Sequence, residues 1–140
     1  MKVLDTSVLI DLDQKPEQFP IGFNELKNED ALLVSSVSVF EFWWGICLRH
    51  RVSTDIPSSV ERKFYDFFSA FKLIQVSFEI AKEASSIGFE LRAKGKMIDL
   101  HDLYIAATAR FSETPVVTRN TEHFNRVVGL KVVSWPMEKA

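Results

Sequence analysis

Apolar positions in this chain gather in short β-branched runs, and between those runs they recur at helical spacing. Lys2 to Asp5, Ala31 to Ser35, Leu73 to Ser77, Pro115 to Thr118 and Lys131 to Ser134 each read as a strand. The stretches between them predict helices. Ser7 to Leu12 is a short one, Gln14 to Pro20 a connection bounded by proline, and Phe23 to Asn28 a polar helix. A long helix capped by Ser36 or Ser38 runs toward Arg51, and the recurrence of Val37, Phe40, Trp44 and Cys47 or Leu48 assigns that face to the core. Pro57 opens a helix to about Phe71, Glu79 to Lys94 forms one ended by Gly95, and Leu100 to Phe111 and the short Thr121 to Val127 complete the set.

This βα alternation predicts an α/β fold, a three-layer α/β/α sandwich around a central, mostly parallel five-stranded sheet with right-handed crossovers. With 140 residues, 46% of them hydrophobic, the chain suits one domain spanning 1–140 with a substantial core. A formal charge of −2 advertises no global attraction for polyanions, so any nucleic-acid contact would rest on local patches. The lone Cys47 excludes an internal disulfide and a thiolate zinc cage, and its apolar neighbours suggest a buried structural thiol in a reducing compartment. Asp5 interrupts the N-terminal apolar run, which argues against a signal peptide. The most apolar stretch, Ala31 to Leu48, contains Glu41 and several serines, which argues against a membrane span. A cytoplasmic location without membrane contact is the expectation.

Candidate chemistry begins at Asp5. It follows the first apolar run directly, and in α/β sheets ligands gather beyond the carboxyl ends of the strands. Asp is equally a favoured helix cap, as are Thr6 and Ser7, so this position alone does not separate chemistry from capping. Two further acids interrupt apolar helical faces. Glu41 lies shortly after the second strand, with Gly45 one turn on leaving an open surface; a purely structural role would pair it with Arg49 or Arg51. Asp102 opens the run Asp-Leu-Tyr-Ile-Ala-Ala-Thr-Ala, where it is either a site carboxylate or an ordinary first-turn acid. Asp99, one turn earlier, is a cap or a supporting partner, and spacing leaves open which of the two points inward. Thr118-Arg119-Asn120 after the fourth strand mirrors Asp5-Thr6-Ser7 after the first, so both loops can face one cleft. Asn120 would there be a neutral oxygen ligand or water-positioning amide, or else a turn residue capping the following helix. Converging carboxylates without a partner base resist joint ionisation unless a cation lies among them. Hard oxygen donors suit Mg²⁺ or Mn²⁺, whose chemistry serves phosphodiester hydrolysis. One metal and two are not distinguished by the spacing.

Four segments in register then carry a resemblance: Asp-Thr-Ser-Val-Leu-Ile-Asp, Ser-Val-Phe-Glu-Phe, Asp-Leu-Tyr-Ile-Ala-Ala-Thr-Ala and Val-Thr-Arg-Asn-Thr-Glu-His-Phe, with Gly-Leu-Lys-Val near the end. Together they resemble the PIN-domain ribonucleases, most closely the VapC toxins, over nearly the whole chain. The resemblance implies a PIN-like fold and a Mg²⁺-dependent endoribonuclease acting on RNA, with tRNA the common family target. It implies a type II toxin–antitoxin pair held inactive by a VapB-like antitoxin, and a homodimer. Carried over by position, Asp5, Glu41 and Asp102 correspond to the acidic metal site, and Asn120 stands where the family often has Asp, a departure that bears on a second metal more than on activity. Thr6, Ser7 and Thr118 match small hydroxyl residues lining the site. The implied mechanism has Asp5 and Asp102 holding the metal while Glu41 orients or deprotonates the attacking water, leaving a 5′-phosphate and a 3′-hydroxyl.

Arg49, Arg51, Arg92, Lys94, Lys96 and Arg119 are candidate phosphate contacts. His50, His101 and His123 read as surface or loop residues, His101 at the cleft rim. Phe64, Tyr65, Phe67, Phe68 and Phe71 exceed one core stripe: Phe64, Phe68 and Phe71 fit the core, and the rest, with Trp43, could face a partner. A non-catalytic PIN-like module binding RNA or protein is the alternative use of the same scaffold. A phosphate-receiver domain fits poorly, because Ser77 and Trp135 stand where it requires Asp and Lys.

Overall fold

The computed structural model describes residues 1–18 and 20–136, without the side chains at positions 16, 20, 21 and 23. Phe19, inside the expected Gln14 to Pro20 connection, and positions 137–140 of the expected domain lie outside the described residues. The chain runs β1 (Lys2–Leu4), α1 (Thr6–Gln14), a 3₁₀ turn (Pro16–Gln18), α2 (Pro20–Lys27), β2 (Leu32–Ser35), α3 (Ser36–His50), α4 (Ser58–Phe68), β3 (Lys72–Ile74), α5 (Phe78–Ala93), α6 (Leu100–Phe111), β4 (Val116–Thr118), α7 (Thr121–Phe124) and β5 (Val132–Ser134).

All five strands are parallel, in the order β3-β2-β1-β4-β5. The register sets Val3 opposite Leu33 and Val116, and Leu4 opposite Val117. Period-two alternation then divides the core between the faces. Val3, Leu33 and Val116 enter a cluster with Ile80, Ile87 and Leu91 of α5, Leu103 and Ala106 of α6, and Phe124 of α7. Leu4, Val34 and Val117 enter the opposite cluster with Val8, Leu9, Leu26, Phe42, Ile46 and Phe68 from α1 to α4. The central strands β1, β2 and β4, buried on both faces, are apolar apart from Lys2, Ser35 and Thr118 at their ends. The connections leaving β1 and β4 go to opposite faces, α1 to one cluster and α7 to the other. The crevice between adjacent β1 and β4 is therefore a topological switch point, the usual place for a ligand.

The expected five-stranded α/β/α sandwich is present, with its sheet wholly parallel. Several expectations about single elements are corrected. The cap of α3 is Ser35, whose hydroxyl accepts from Val37 N at 3.1 Å. Ser36 instead accepts from Val76 N at 3.2 Å, and buried Ser38 bonds to Thr6. The buried face of α3 is Ser38, Phe42 and Ile46, whereas Phe40, Trp44 and Leu48 are 54%, 56% and 64% exposed. Because α3 is apolar nearly all round, period alone does not set its phase. Its neighbours do: Phe42 lies among Phe64, Phe67 and Phe68 at ring separations of 6.1, 5.4 and 5.2 Å. Cys47 is half-buried rather than buried. The third strand spans Lys72–Ile74, releasing Ser77 to cap α5 through Ile80 N at 3.1 Å. The helix expected to reach Phe71 ends at Phe68. Gly95 does follow α5, at φ +66°.

Candidate active site

Asp5 takes the capping role, and its second carboxylate oxygen is turned to the exit of β4. As N-cap of α1 its Oδ1 accepts from Thr6 N at 2.8 Å, while Oδ2 accepts from Ser7 Oγ at 2.9 Å and from Thr118 Oγ1 at 2.7 Å. Its own backbone N–H donates to Val117 O at 2.9 Å, so the exits of β1 and β4 are fastened side by side. Thr118 Oγ1, its single proton committed to Asp5, accepts from Asn120 N at 2.9 Å. That bond brings Asn120 back over the strand end.

α3 adds Glu41. Its Oε1 accepts from Thr6 Oγ1 at 2.7 Å, and because that hydroxyl's proton is used, Ser38 Oγ donates to Thr6 at 2.9 Å. The fold-back pairing with Arg49 or Arg51 is absent among the described residues; Oε2 stands 3.6 Å from His101 Nδ1. Gly45 does open the surface beside it, since a Cβ there meets nothing within 4 Å. Arg49 lines the same shallow depression, with Ile10, Gln14 and Glu41.

α6 adds Asp102, and the ambiguity with Asp99 is resolved. Asp99 is the exposed N-cap residue and makes no side-chain capping bond, whereas the Asp102 carboxylate is largely covered, at 18% side-chain exposure. Burial, then repulsion from Asp5, Asp99 and Glu41, pushes Asp102 up to about 6, with the nearby His123 imidazole opposing. Glu41 is also raised, chiefly by burial, with the Thr6 hydroxyl and His101 opposing and Asp5 and Asp99 adding. The basic side chains nearest Glu41 and Asp102 among the described residues are imidazoles, not Lys or Arg.

Histidine 123 is the residue that sequence reasoning missed. Read as a surface residue, it lies with Nδ1 2.6 Å from Asn120 Nδ2 and 3.5 Å from Asp102 Oδ2. Its signal was its place one turn after Asn120 on the helix that leaves β4. His101 occupies the rim as expected, 5.8 Å from the Phe40 ring. Arg119, the candidate phosphate contact nearest the site in sequence, engages Asp11 through its guanidinium, and Asp11 Oδ2 also accepts from Trp135 Nε1 at 3.0 Å. Arg92, Lys94 and Lys96 are exposed at the end of α5.

A divalent cation suits this donor set. The groups are oxygen donors, burial and then mutual repulsion raise the Asp102 carboxyl, and among the described residues no Lys or Arg relieves Glu41 or Asp102. Among the described residues no three carboxyl, imidazole or thiol groups enclose a cation by themselves. The carboxylate and amide oxygens present are the donor type that hard divalent cations take.

Comparison with known proteins bears on the family. A family model described as the PIN domain matches residues 2–130. The chain is 33% identical over 132 residues to Ribonuclease VapC1 of Methanocaldococcus jannaschii, covering 93% of this chain and 85% of that one. It is 28% identical over 134 residues to the tRNA(fMet)-specific endonuclease VapC of Shigella flexneri, covering 95% and 96%. The solved structure of DNA-bound VapBC from Salmonella typhimurium superposes with TM-score 0.79 at 25% identity, covering 96% of this chain and 97% of that one.

Proposed function

The chain belongs to the PIN-domain family and, within it, to the VapC proteins, and from that premise we propose that it is a Mg²⁺-dependent endoribonuclease, the toxin of a VapBC-type pair. The observation that carries this reading is the meeting of Asp5, Glu41 and Asp102 at the switch point, where burial first and repulsion from its neighbours second raise Asp102 to about 6. Asp5 and Asp102 would hold the cation, with Mn²⁺ a substitute, and Asn120 would offer a neutral oxygen. When bound, the cation supplies positive charge that offsets the negative charge building on the phosphate and the departing oxygen. Glu41 orients the attacking water and takes its proton; burial raises its carboxyl, which strengthens it as a base. Thr6, hydrogen-bonded to Oε1, holds that carboxylate in place, and Ser7 and Thr118 do the same for Asp5.

The finer statements of this reading rest on separate features. The relative named as a tRNA(fMet)-specific endonuclease supports tRNA as the substrate class. For the VapB-like antitoxin, the groove between α1, α2 and α4, about 400 Å³ and lined by Leu12, Leu26, Leu32, Phe67 and Phe71, suits the apolar face of a helix. For a homodimer, Phe40, Trp44 and Leu48 form an exposed stripe along α3, a large apolar surface for a lone chain. Trp43, by contrast, packs on Phe64 at 4.9 Å and belongs mostly to the fold. No helix among the described residues is long and apolar enough to cross a membrane, and the cytoplasm is the location proposed.

The purified protein should cleave structured RNA with Mg²⁺ and stop when the metal is chelated. Asp5→Ala should be inactive. Equal cleavage by both proteins would remove the site, and no cleavage by either would favour a binding module.

A further inference from the structure

We propose that His123 is a positioning residue that sets the side-chain amide of Asn120, committing its amino group so that its oxygen is the end left for a ligand. The inference rests on the cation-dependent reading of this site. Asn120 stands at the N-cap position of α7 yet makes no side-chain capping bond, so the usual local role of such a residue is absent. Its backbone is fixed instead by Thr118, at 2.9 Å, and its side chain by the imidazole one turn on, with Nδ2 2.6 Å from His123 Nδ1.

The chemistry explains why an imidazole is needed there. A carboxylate offers two equivalent oxygens, whereas an amide offers one oxygen and one amino group, and only the oxygen can approach a cation. Asn at this position therefore needs a partner that chooses its orientation. A neutral imidazole with its proton on Nε2 has a bare Nδ1 that accepts from the amino group and so makes the choice. The 3.5 Å separation from Asp102 Oδ2 is too long to compete with the 2.6 Å contact for Nδ1. A neutral oxygen also completes the donor set without adding a further negative charge to the repulsion already felt by Asp102.

The test combines Mn²⁺ affinity, read from the electron paramagnetic resonance signal of the free ion, with RNA cleavage. In the wild-type background, His123→Leu should weaken both about tenfold, as supporting residues around metal ligands commonly do. His123→Asn should restore both, because its Oδ1 falls near the position of Nδ1. His123→Gln, whose oxygen falls near Nε2, should behave like the Leu variant and guards against a Leu protein that fails to fold. In an Asn120→Asp background, where no orientation has to be chosen, His123→Leu should change Mn²⁺ affinity less than about twofold. An equal loss in both backgrounds, unchanged Mn²⁺ affinity in His123→Leu and His123→Gln, or a wild-type protein that binds no Mn²⁺ would each overturn the proposal. A wild-type protein that binds Mn²⁺ but leaves RNA intact would overturn the nuclease reading alone, and the affinity pattern would still decide the role of His123.

Discussion

At Asp5 the two carboxylate oxygens have different partners, so substitutions there can separate folding from chemistry. Asp5→Asn keeps an acceptor for Thr6 N and should retain most of the stability, whereas Asp5→Ala loses the cap as well, at a further cost of about 1 kcal/mol. Both should reduce cleavage by roughly 100-fold or more, measured beside thermal melts. Asp102 gives a pH signature. Its carboxyl lies at about 6 in the fold against an ordinary 3.8, so the folded state binds this proton more tightly than the unfolded chain does. Metal-free protein should therefore lose stability as pH rises from about 4 through 6. Its Tm should be lower at pH 8 than at pH 5, Mg²⁺ should raise the value at pH 8, and Asp102→Asn should remove most of the difference. Equal Tm changes in wild type and Asp102→Asn would contradict the assignment. Asp5, Glu41 and Asp102 were legible in the sequence because each breaks an apolar pattern. His123 breaks none, and its place one turn after Asn120 gains meaning through the contact between the two side chains.

At the scale of elements, α3 shows where pattern reading stops. Its end and its acid can be read from the sequence, but its cap and its rotation cannot, the latter because Val39, Phe40, Phe42, Trp43, Trp44 and Ile46 allow more than one apolar stripe. Tertiary packing against α4 decides, burying Phe42 and leaving Trp44 outside. Phe42→Ala should thus cost about 3–5 kcal/mol in chemical denaturation, as a large core truncation does. Trp44→Ala should cost under about 1 kcal/mol and instead weaken self-association in sedimentation experiments. If Trp44→Ala unfolds the protein and Phe42→Ala does not, the orientation of α3 is wrong. The short third strand carries a related lesson. Val76 and Ser77 extend its apolar-polar run, yet Ser77 is more useful as a cap, and local side-chain bonding ends the strand early.

Across the whole molecule, the βα alternation was enough to foresee a parallel sheet between helical layers. The order β3-β2-β1-β4-β5 was not, because nothing in a short strand's composition names its neighbour. That order is what makes the site: it sets β1 beside β4, and so Asp5 beside Thr118 and Asn120, 113 positions apart in the case of the first bond. Glu41 and Asp102 arrive over this junction from helices packed on opposite faces of the sheet. The measurement that tests this arrangement most directly is the chemistry of the cut ends. Purified protein incubated with a structured RNA and Mg²⁺ should yield 5′-phosphate and 3′-hydroxyl termini, as expected when Glu41 activates water for in-line attack, and chelation of the metal should abolish them. Termini bearing a 2′,3′-cyclic phosphate, or cleavage that persists without divalent metal, would contradict the account, because the RNA's own 2′-hydroxyl would then be the nucleophile.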